Sequence, residues 1–510
     1  MSDFQYILPA LAQVFTVTNL ALIFGGLILG MIVGCIPGLS VTLGIILLLP
    51  LTYTFSSPDS AIIALLAVYV GGMYGGSISA ITLNTPGTNS AIATTFDGYP
   101  LAKKGKVKKA LDTSLFASTF GGLFSAILLL LCASFITHLV SKFASVEYFS
   151  MAILGISLIA GVSGDSLAKG ILSGLLGILM AAIGTDAVTG VWRYTFGIDA
   201  LRYGIDMLPA MIALIALTQV VQKLRDFVLA NGKLDDASKI DREGLTGREM
   251  ISILPACTRS SVVASILGAM PGVGGGVAQF MCYNECRRAS KHPEMFGKGA
   301  IEGIAASESA NNAVTGGALI PMLTLGIPGS GTCAIMLGGM MIQGLTPGYE
   351  LFTKQGEITY AVILGFLIAN VLMGVLGMLV AKYVVRICVI PNAILIPLII
   401  GLATIGAFAI QNSNFDVTIM LLFGLIGYFA RKLGFATAPM ILGMILGPMA
   451  EKNWNQVLLI CRGDLVGYFF SRPISIVLFV MVVIGLFTPV IMRFFSKKTI
   501  GDPDVVSKED

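Results

Sequence analysis

Two segments of the chain combine a helix-breaking dipeptide with polar side chains inside apolar surroundings. They are TLNTPGTNSAIA, residues 82–93, and TLGIPGSGTCAI, residues 324–335. Proline removes a backbone donor and glycine permits a sharp turn, so each segment breaks its helix at the Pro-Gly pair. The two prolines are 328 − 86 = 242 residues apart, close to half of the 510-residue chain. Broken backbone surrounded by hydroxyl and amide groups is suited to binding a polar ligand.

The residues after each break predict the start of a new helix. Thr88-Asn89-Ser90 and Ser330-Gly331-Thr332 supply side chains that are common at helix N-caps. A helix N-terminus offers free N–H groups and about half a positive charge, which favours an anion such as a carboxylate. The alternative is that these hydroxyl groups only cap their own helices.

A second pair of Pro-Gly breaks precedes the first pair, one in each half of the chain. Pro37-Gly38 lies in PGLSVT and Pro271-Gly272 lies in PGVGGG, an offset of 271 − 37 = 234 residues. Glycine-rich backbone can form an anion nest or a carbonyl cage for a cation, but a simple packing seam would have the same composition. The predicted substrate-binding residues from all four breaks are Asn84, Thr85, Pro86, Gly87, Thr88, Asn89, Ser90, Pro328, Gly329, Ser330, Thr332, Ser40, Gly274 and Gly275.

A third polar segment, IEGIAASESANNAVTGG, places an acid at the start of an apolar span. Glu308, Asn311 and Asn312 are spaced at i, i+3 and i+4 and therefore share one face of a helix. An acid within a membrane span is a functional candidate by default. Its carboxylate could bind a coupling Na⁺ or carry a proton, with the Asn amides as neutral oxygen ligands. The alternative is an interfacial helix whose Glu308 faces water.

Residues suited to enzymatic catalysis are scarce in this sequence. The chain has 2 histidines, and it contains neither an HExxH sequence nor the GxxxxGK[ST] sequence of nucleotide-hydrolysing proteins. We predict no catalytic residues, no enzyme activity, no metal and no cofactor, apart from Na⁺ or a proton at the ion site. A passive anion channel and a membrane-embedded enzyme acting on a lipid are the alternatives.

Helices in a bilayer have to position these sites. Of the residues 55% are hydrophobic and 12% are charged, and the mean hydropathy is +0.88. Apolar runs recur along the chain, each long enough to span roughly 30 Å of hydrocarbon. The predicted fold class is an all-α polytopic membrane protein of about 10–12 transmembrane helices, some re-entrant or interrupted. The net charge of +4 argues for no nucleic acid partner.

The paired breaks divide the chain into two structural repeats. The predicted divisions are an N-terminal interfacial segment (1–18), repeat 1 (19–221), a polar inter-repeat loop (222–259), repeat 2 (260–495) and a polar cytoplasmic tail (496–510).

Charge indicates which way the repeats face. The basic loops at 103–109 and 287–298 should both be cytoplasmic, together with the lysines at 497 and 498. An odd number of apolar segments separates the first two loops, which would put them on opposite sides. The conflict disappears if 260–285 is a re-entrant hairpin, and the two halves then have opposite orientations. The alternative to inverted repeats is a plain odd crossing with one atypical loop.

The longest motifs resemble a known family, the large membrane subunit, TctA, of bacterial tripartite tricarboxylate transporters. They are GMIVGCIPGLS, YVGGMYGGSISAITLNTPGTNSAIATTFDGYPLAKKGKVKKAL, GAMPGVGGG, GIAASESANNAVTGGALIPMLTLGIPGSGTCAIMLGGMMIQGLTPG and GFATAPMILGMILGP. The resemblance extends from about Asn19 to about Val490 and so covers essentially the whole chain.

The resemblance implies a multi-pass secondary transporter of the bacterial inner membrane that imports citrate or other organic acids with Na⁺ or protons. It also implies two partners, a small TctB-like membrane subunit and a periplasmic TctC-like solute-binding protein. An elevator-type movement follows by analogy with other binding-protein-dependent carboxylate transporters. The family motif positions in this sequence are Asn84, Pro86, Gly87, Thr88, Ser90, Pro328, Gly329, Ser330, Glu308 and Asn312.

Overall fold

The computed structural model describes most of the chain as helices joined by short connections. The described residues are 4–36, 39–55, 57–140, 143–157, 166–186, 190–218, 244–270, 274–387, 392–461 and 463–483. The Pro-Gly pairs at 37–38 and 271–272, most of the polar loop predicted at 222–259 and the tail at 496–510 lie outside them.

The first half of the chain contributes nine α-helices and one small sheet from the described residues. The helices are α1 Phe4–Val14, α2 Val17–Cys35, α3 Val41–Leu48, α4 Pro58–Leu83, α5 Thr95–Lys103, α6 Val107–Val140, α7 Ser145–Ser157, α8 Leu167–Ala181 and α9 Met207–Ile212. Short 3-10 helices cover Leu49–Thr54, Asn89–Ala91 and Asp199–Tyr203, and a π-helical stretch covers Ala213–Leu217. Strands β1 Gly184–Thr185 and β2 Trp192–Arg193 pair antiparallel, with Gly184 opposite Arg193.

The second half, over its described residues, is helical throughout. Its helices are α10 Gly247–Ala269, α11 Gly274–Ala289, α12 Ile301–Leu325, α13 Gly331–Ile342, α14 Tyr349–Lys354, α15 Gly356–Ile387, α16 Asn392–Gln411, α17 Asn414–Lys432, α18 Thr437–Cys461, α19 Leu465–Phe470 and α20 Pro473–Val483. A 3-10 turn covers Pro293–Met295.

Many of these helices have the length and composition needed to cross a bilayer. Among the described residues, six apolar segments of at least 18 residues qualify: Val17–Cys35, Pro58–Leu83, Val107–Ala133, Gly247–Ala269, Gly356–Val380 and Asn414–Lys432. Shorter apolar helices include Val41–Thr54, Ser145–Ile156 and Gly331–Ile342. The prediction of an all-α polytopic membrane protein is confirmed, while the total of about 10–12 transmembrane helices stays a prediction.

The chain forms two compact units, and each unit draws on both halves of the sequence. The core unit consists of 1–142 and 206–429, and the second unit consists of 143–205 and 430–510. The compact units therefore do not follow the predicted repeat boundaries. Each predicted repeat gives its first, break-containing part to the core unit and a later part to the second unit.

The predicted inter-repeat loop ends earlier than expected. Helix α10 starts at Gly247, so the predicted loop boundary at residue 259 is wrong by about three helical turns. A capping box explains the early start, because the Thr246 side chain accepts from the backbone of Glu249 and the Glu249 side chain accepts from the backbone of Thr246.

In repeat 1, α2 and α4 pack closely through glycine. A Cβ atom at Gly30 would collide with the carbonyl oxygen of Val68, and one at Gly34 would collide with that of Gly72. Small residues allow two backbones to approach in this way. Because successive turns of α2 meet successive turns of α4, the two helices run parallel. The chain must therefore turn back between them, which it does through α3 and the 3-10 helix that follows.

In repeat 2, α10 and α12 repeat this packing. A Cβ atom at Gly268 would lie 2.5 Å from the carbonyl oxygen of Val314. Since 268 − 34 = 234 and 314 − 72 = 242, the contact between Gly34 and Gly72 recurs at Gly268 and Val314 with the two offsets found in the sequence. The two repeats thus share one packing scheme.

The equivalent helices α4 and α12 pack against each other in opposite directions. Asn311 Nδ2 donates to the Met73 carbonyl oxygen at 3.2 Å, whereas Glu308, one turn earlier in α12, faces Ser77, one turn later in α4. Opposed packing of equivalent helices is what inverted repeats require. The side of the membrane that each repeat faces stays a prediction.

Candidate substrate and cation sites

A small cavity lies inside the core unit, where broken segments from both repeats meet. Its volume is about 90 Å³. Ser330 and Thr332 of the segment 324–335 and Ser90 of the segment 82–93 contribute hydroxyl groups to its lining. The described residues that line it are Tyr69, Met73, Ser90, Gly268, Gly275, Val314, Ala318, Gly329, Ser330 and Thr332, and none of these side chains is charged.

The first break depends on a residue that caps α4 and on a glycine that packs tightly. Asn84 has φ +54° and ends α4 in the left-handed region, where Asn is one of the few side chains tolerated. Gly87 donates its backbone N–H to the Gly76 carbonyl at 3.2 Å. A Cβ atom at Gly87 would collide with the carbonyl oxygen of Gly34. The break is therefore clamped between α2 and α4.

The chain does not resume as an α-helix directly after this break, and the prediction that it would do so is wrong. A single 3-10 turn, Asn89–Ala91, is followed by α5 only at Thr95. Thr88 makes no capping hydrogen bond to the backbone. Its hydroxyl oxygen lies instead 3.4 Å from that of Ser90, where either group can donate to the other. Ser90 packs against α11, because a Cβ atom at Gly275 would lie 2.9 Å from its Cβ.

The second break has the same design, with a full helix after it. Gly326 ends α12 with φ +69°, and its position matches that of Asn84 because 326 − 84 = 242. A Cβ atom at Gly329 would lie 2.7 Å from the carbonyl oxygen of Gly268. Ser330 Oγ accepts from the Cys333 backbone N–H at 3.2 Å and caps α13. The predicted N-cap at this break is confirmed.

The two remaining helix starts connect the repeats. Ser40 Oγ accepts from the Leu43 backbone N–H at 3.2 Å and caps α3. Thr42 and Thr332, near the starts of α3 and α13, have their hydroxyl oxygens 2.9 Å apart. The helix that follows Pro37-Gly38 in the sequence therefore contacts the helix that follows Pro328-Gly329, while Ser90, after Pro86-Gly87, packs against Gly275 of α11.

The structure brings together only some of the predicted substrate-binding residues. Those that line the cavity are Ser90, Gly275, Gly329, Ser330 and Thr332. Asn84, Thr85 and Asn89 are exposed, and the Thr85 hydroxyl donates to the Leu83 carbonyl at 3.1 Å. Among the predicted residues that the structure describes, those that do not line the cavity are Asn84, Thr85, Pro86, Gly87, Thr88, Asn89, Pro328 and Ser40. Gly274, at the start of α11, lies outside the residues whose surroundings the structure describes.

Five cavity residues from the helices escaped the sequence reasoning. Tyr69 and Met73 come from α4, Gly268 comes from α10, and Val314 and Ala318 come from α12. Helices α4 and α12 are buried along nearly their whole length. Burial on every side leaves no amphipathic pattern that could indicate which apolar residue faces a ligand.

Glu308 is fully buried in α12 and is surrounded by hydroxyl groups. Thr94 Oγ1 donates to Glu308 Oε1, and Ser118 Oγ of α6 donates to Oε2 at 2.9 Å. Ser114, one turn before Ser118, also faces this carboxylate. The alternative of an interfacial helix whose Glu308 faces water does not hold, because Glu308 is 0% exposed.

The two predicted amide ligands, Asn311 and Asn312, lie about one turn after Glu308 on the same helix. Asn311 Nδ2 is 3.2 Å from the Met73 carbonyl and 3.3 Å from Ser77 Oγ, and Asn312 Nδ2 is 3.5 Å from the Glu308 carbonyl. The Oδ1 atoms of both amides are buried without a hydrogen-bond partner in the described residues. These free oxygens and the carboxylate suit a hard cation such as Na⁺.

Asp97 of α5 is a further buried acid. It joins α5 to segments of the second half of the chain, a contact that the sequence did not predict. Its Oδ1 accepts from the backbone N–H groups of Gly299 and Ala300, each at 2.8 Å, and its Oδ2 accepts from Tyr283 Oη at 2.9 Å. Burial raises the pKa of Asp97 above its usual range, while these hydrogen bonds act to lower it. The partners lie 186 to 203 residues later in the chain, beyond any local pattern.

Comparisons with known proteins agree with the geometry. A protein of Agrobacterium vitis described as an uncharacterized 52.8 kDa protein in the TAR-I ttuC' 3' region is 34% identical over 460 residues, covering 90% of this chain and 91% of that protein. Another from the same organism, described as an uncharacterized protein in the TAR-II ttuC' 3' region, is 38% identical over 211 residues, covering 41% and 87%. No solved structure matches the chain.

The family comparison covers most of the chain, including parts of both compact units. The tripartite tricarboxylate transporter TctA family matches residues 20–442, which include both Pro-Gly breaks of each repeat, the small cavity and Glu308. The protein is therefore a member of the tripartite tricarboxylate transporter TctA family.

Proposed function

We propose that this chain is the large transmembrane subunit of a binding-protein-dependent secondary transporter that imports carboxylates. The observation that supports this most strongly is the meeting of broken segments from both repeats at one cavity, next to a buried acid. Binding sites of transporters with interrupted helices are commonly formed in this way.

The chemistry of the cavity favours an organic acid. Ser90, Ser330 and Thr332 offer hydroxyl groups, and α13 begins at Gly331 beside the cavity, so the backbone N–H groups of its first turn are near it. Helix N-termini favour anions. The volume of about 90 Å³ is well below the roughly 300–1,000 Å³ of typical ligand sites. In this conformation the site can close around one carboxylate group, and a larger acid requires it to open.

The proposed coupling ion is Na⁺ or a proton at Glu308, with the carbonyl oxygens of Asn311 and Asn312 as neutral ligands. A buried acid without a basic partner is costly in a membrane protein. A cation that binds Glu308 removes this cost and links the ion gradient to the state of the core. A rigid-body, elevator-type movement of the part that contains the broken helices is the proposed route of transport.

The proposed partners follow from the family. They are a small TctB-like membrane subunit and a periplasmic TctC-like protein that delivers the solute, and the proposed location is the bacterial inner membrane. Specificity among citrate, dicarboxylates and aromatic carboxylates would then be divided between the binding protein and the cavity.

The decisive experiment is uptake into proteoliposomes that contain this chain and its small subunit. Labelled citrate and a panel of other carboxylates are offered with and without the binding protein, under an imposed Na⁺ or pH gradient. Accumulation above the outside concentration that depends on one gradient is the expected result. Downhill equilibration that ignores both gradients would identify the alternative, a passive organic-anion channel.

A further inference from the structure

The carboxylate of Glu308 and the small cavity are connected through two segments that run side by side. One segment contains Ser90, at the cavity, and Thr94, which donates to Glu308. The other is the start of α11, which contains Gly275 at the cavity and Gln279 four residues later. Four residues are about one helical turn, or roughly 6 Å of rise. Both segments therefore reach from the cavity to the acid.

Gln279 ties the two segments together next to the acid. Its Oε1 accepts from the Ala93 backbone N–H at 2.9 Å, and its Nε2 donates to Thr94 Oγ1 at 3.0 Å. The Ala93 N–H can only donate, so it fixes the amide with its oxygen toward Ala93 and its nitrogen toward Thr94. Gln279 is fully buried, so water does not compete for either bond.

This arrangement gives the hydrogen bonds a direction. Thr94 has one hydroxyl proton, and because its oxygen accepts from Gln279, that proton is free to point at Glu308. Ser307 Oγ, 3.3 Å from Thr94 Oγ1, is an alternative acceptor. When Glu308 is ionised, Thr94 donates to it. When a cation or proton neutralises Glu308, the Thr94 hydroxyl can turn to Ser307.

We propose that Gln279 and Thr94 are the positioning residues that couple the charge of Glu308 to the geometry of the cavity. This inference rests on the proposed function and adds the connection by which ion and substrate sites influence each other. Ser90 and Gly275 are held together at the cavity by the same two segments. A change at Glu308 that shifts Thr94 therefore shifts the wall of the cavity.

The test uses the full chain in membranes and needs no substrate. Ser90→Cys is introduced after replacement of the native cysteines, and its rate of reaction with a methanethiosulfonate reagent is measured against Na⁺ concentration and against pH. We expect one of these cations to change the rate about 5-fold or more, the lower range of ordinary coupling. In Ser90→Cys with Gln279→Ala the rate should no longer respond to that cation.

Two further variants separate coupling from folding. Gln343→Ala is the matched control, because Gln343 also lies in the core unit and donates to Thr52 Oγ1 at 3.2 Å, away from Glu308. It should leave the cation response intact. Thr94→Ser, which keeps the hydroxyl, should retain the response, whereas Thr94→Val should lose it.

The outcomes are separable from those of the uptake assay. An unchanged cation response in Gln279→Ala, or a parent Ser90→Cys protein whose rate ignores both Na⁺ and pH, would overturn the inference. Gradient-driven uptake by the unmodified protein could still be observed in either case, and its absence would count against the proposed function alone.

Discussion

Two fully buried glutamates, one in each compact unit, have very different surroundings. Glu147 of the second unit accepts from Arg472 Nε at 2.6 Å and from Ser475 Oγ at 2.7 Å, and its other oxygen accepts from the Ala144 backbone N–H at 2.8 Å. Glu308 of the core unit has only hydroxyl donors among the described residues. A positive charge compensates the first glutamate permanently, and the second depends on neutral dipoles.

These surroundings distinguish an acid that is held in a fixed ion pair from one that is free to exchange its partners. A buried ion pair is complete without any ligand, and removal of one partner leaves an uncompensated charge. An acid held by hydroxyl groups can release them or reorient them when a cation arrives, because each hydroxyl can both donate and accept. Burial alone would rank these two glutamates equally.

Cavity size and the surroundings of the nearby acid differ between the two units. The second unit has an open cleft of about 430 Å³ beside Phe149 and Trp454, whose rings are 4.8 Å apart, and the cavity in the core unit measures about 90 Å³. The acid in the cleft, Glu451, is paired with Arg193. Near the smaller cavity lies Glu308, which has no basic partner among the described residues.

The largest effect should come from Glu308→Gln. The substitution keeps the shape but removes the charge that the proposed coupling ion neutralises, so accumulation of substrate above its outside concentration should be lost completely. The measurement is gradient-driven uptake in proteoliposomes. Glu147→Gln is the matched control. Arg472 is 30% exposed, so water can solvate the charge that this substitution leaves, and we expect gradient-driven accumulation to persist. Equal losses in both variants would erase the functional distinction between the two acids.

The next largest effect should be on stability and should appear in the second unit. Arg472→Met leaves Glu147 buried beside Ser475 without its positive partner, which typically costs about 3 kcal/mol or more. Thermal unfolding in detergent should therefore begin at a clearly lower temperature. Glu308 has no equivalent cationic partner in the described residues. A melting curve that Arg472→Met leaves unchanged would show that Glu147 does not depend on Arg472, and the two glutamates would then not differ as described.

Ser118→Ala tests whether the hydroxyl donors around Glu308 set its affinity for a cation. It removes one hydroxyl donor to Glu308, and a hydrogen bond to a charged group is worth about 1.5–3 kcal/mol. We expect the concentration of Na⁺ or protons for half-maximal uptake to change about tenfold, with little change in maximal rate. Ser125→Ala on the same helix, whose hydroxyl donates to the Gly122 carbonyl at 3.1 Å, should leave that concentration unchanged.

The smallest effect should be on substrate affinity, and it should differ between the break at Pro86-Gly87 and the break at Pro328-Gly329. Ser330→Ala removes the cap of α13 and one hydroxyl of the cavity, a loss of about 1 kcal/mol, so uptake should need roughly fivefold more substrate for half-maximal rate. Thr88→Val is the comparison, because Thr88 caps no helix and lies outside the cavity lining. A larger loss in Thr88→Val than in Ser330→Ala would reverse the assignment.

The sequence predicted the parts of the site that repeat. The duplicated Pro-Gly motifs located both described breaks, and the N-cap at Ser330 followed from residue type alone. The same rule failed at Thr88, whose hydroxyl pairs with Ser90 rather than with the backbone. Asn84 was assigned to the ligand because it is polar, but its left-handed φ of +54° shows that it ends a helix.

The rest of the site depends on contacts between residues that are far apart in the chain. Ser118 and Thr94 lie 190 and 214 residues before Glu308. Tyr69 belongs to a helix that is buried on every side, so the spacing of its apolar residues does not indicate that Tyr69 lines the cavity. Only the packing of α4, α6 and α12 reveals these neighbours.

The shared packing scheme of the two repeats has a consequence for the charge that is moved with each substrate molecule. With the 242-residue offset, the position equivalent to Glu308 in repeat 1 is 308 − 242 = 66, and it is Leu66, which is 1% exposed. The backbone is duplicated, but the acid is not. A cycle that uses Glu308 therefore moves at most one elementary charge through this acid. Once the charge of the carboxylate itself is subtracted, the measured charge per substrate molecule shows how many other ions travel with it.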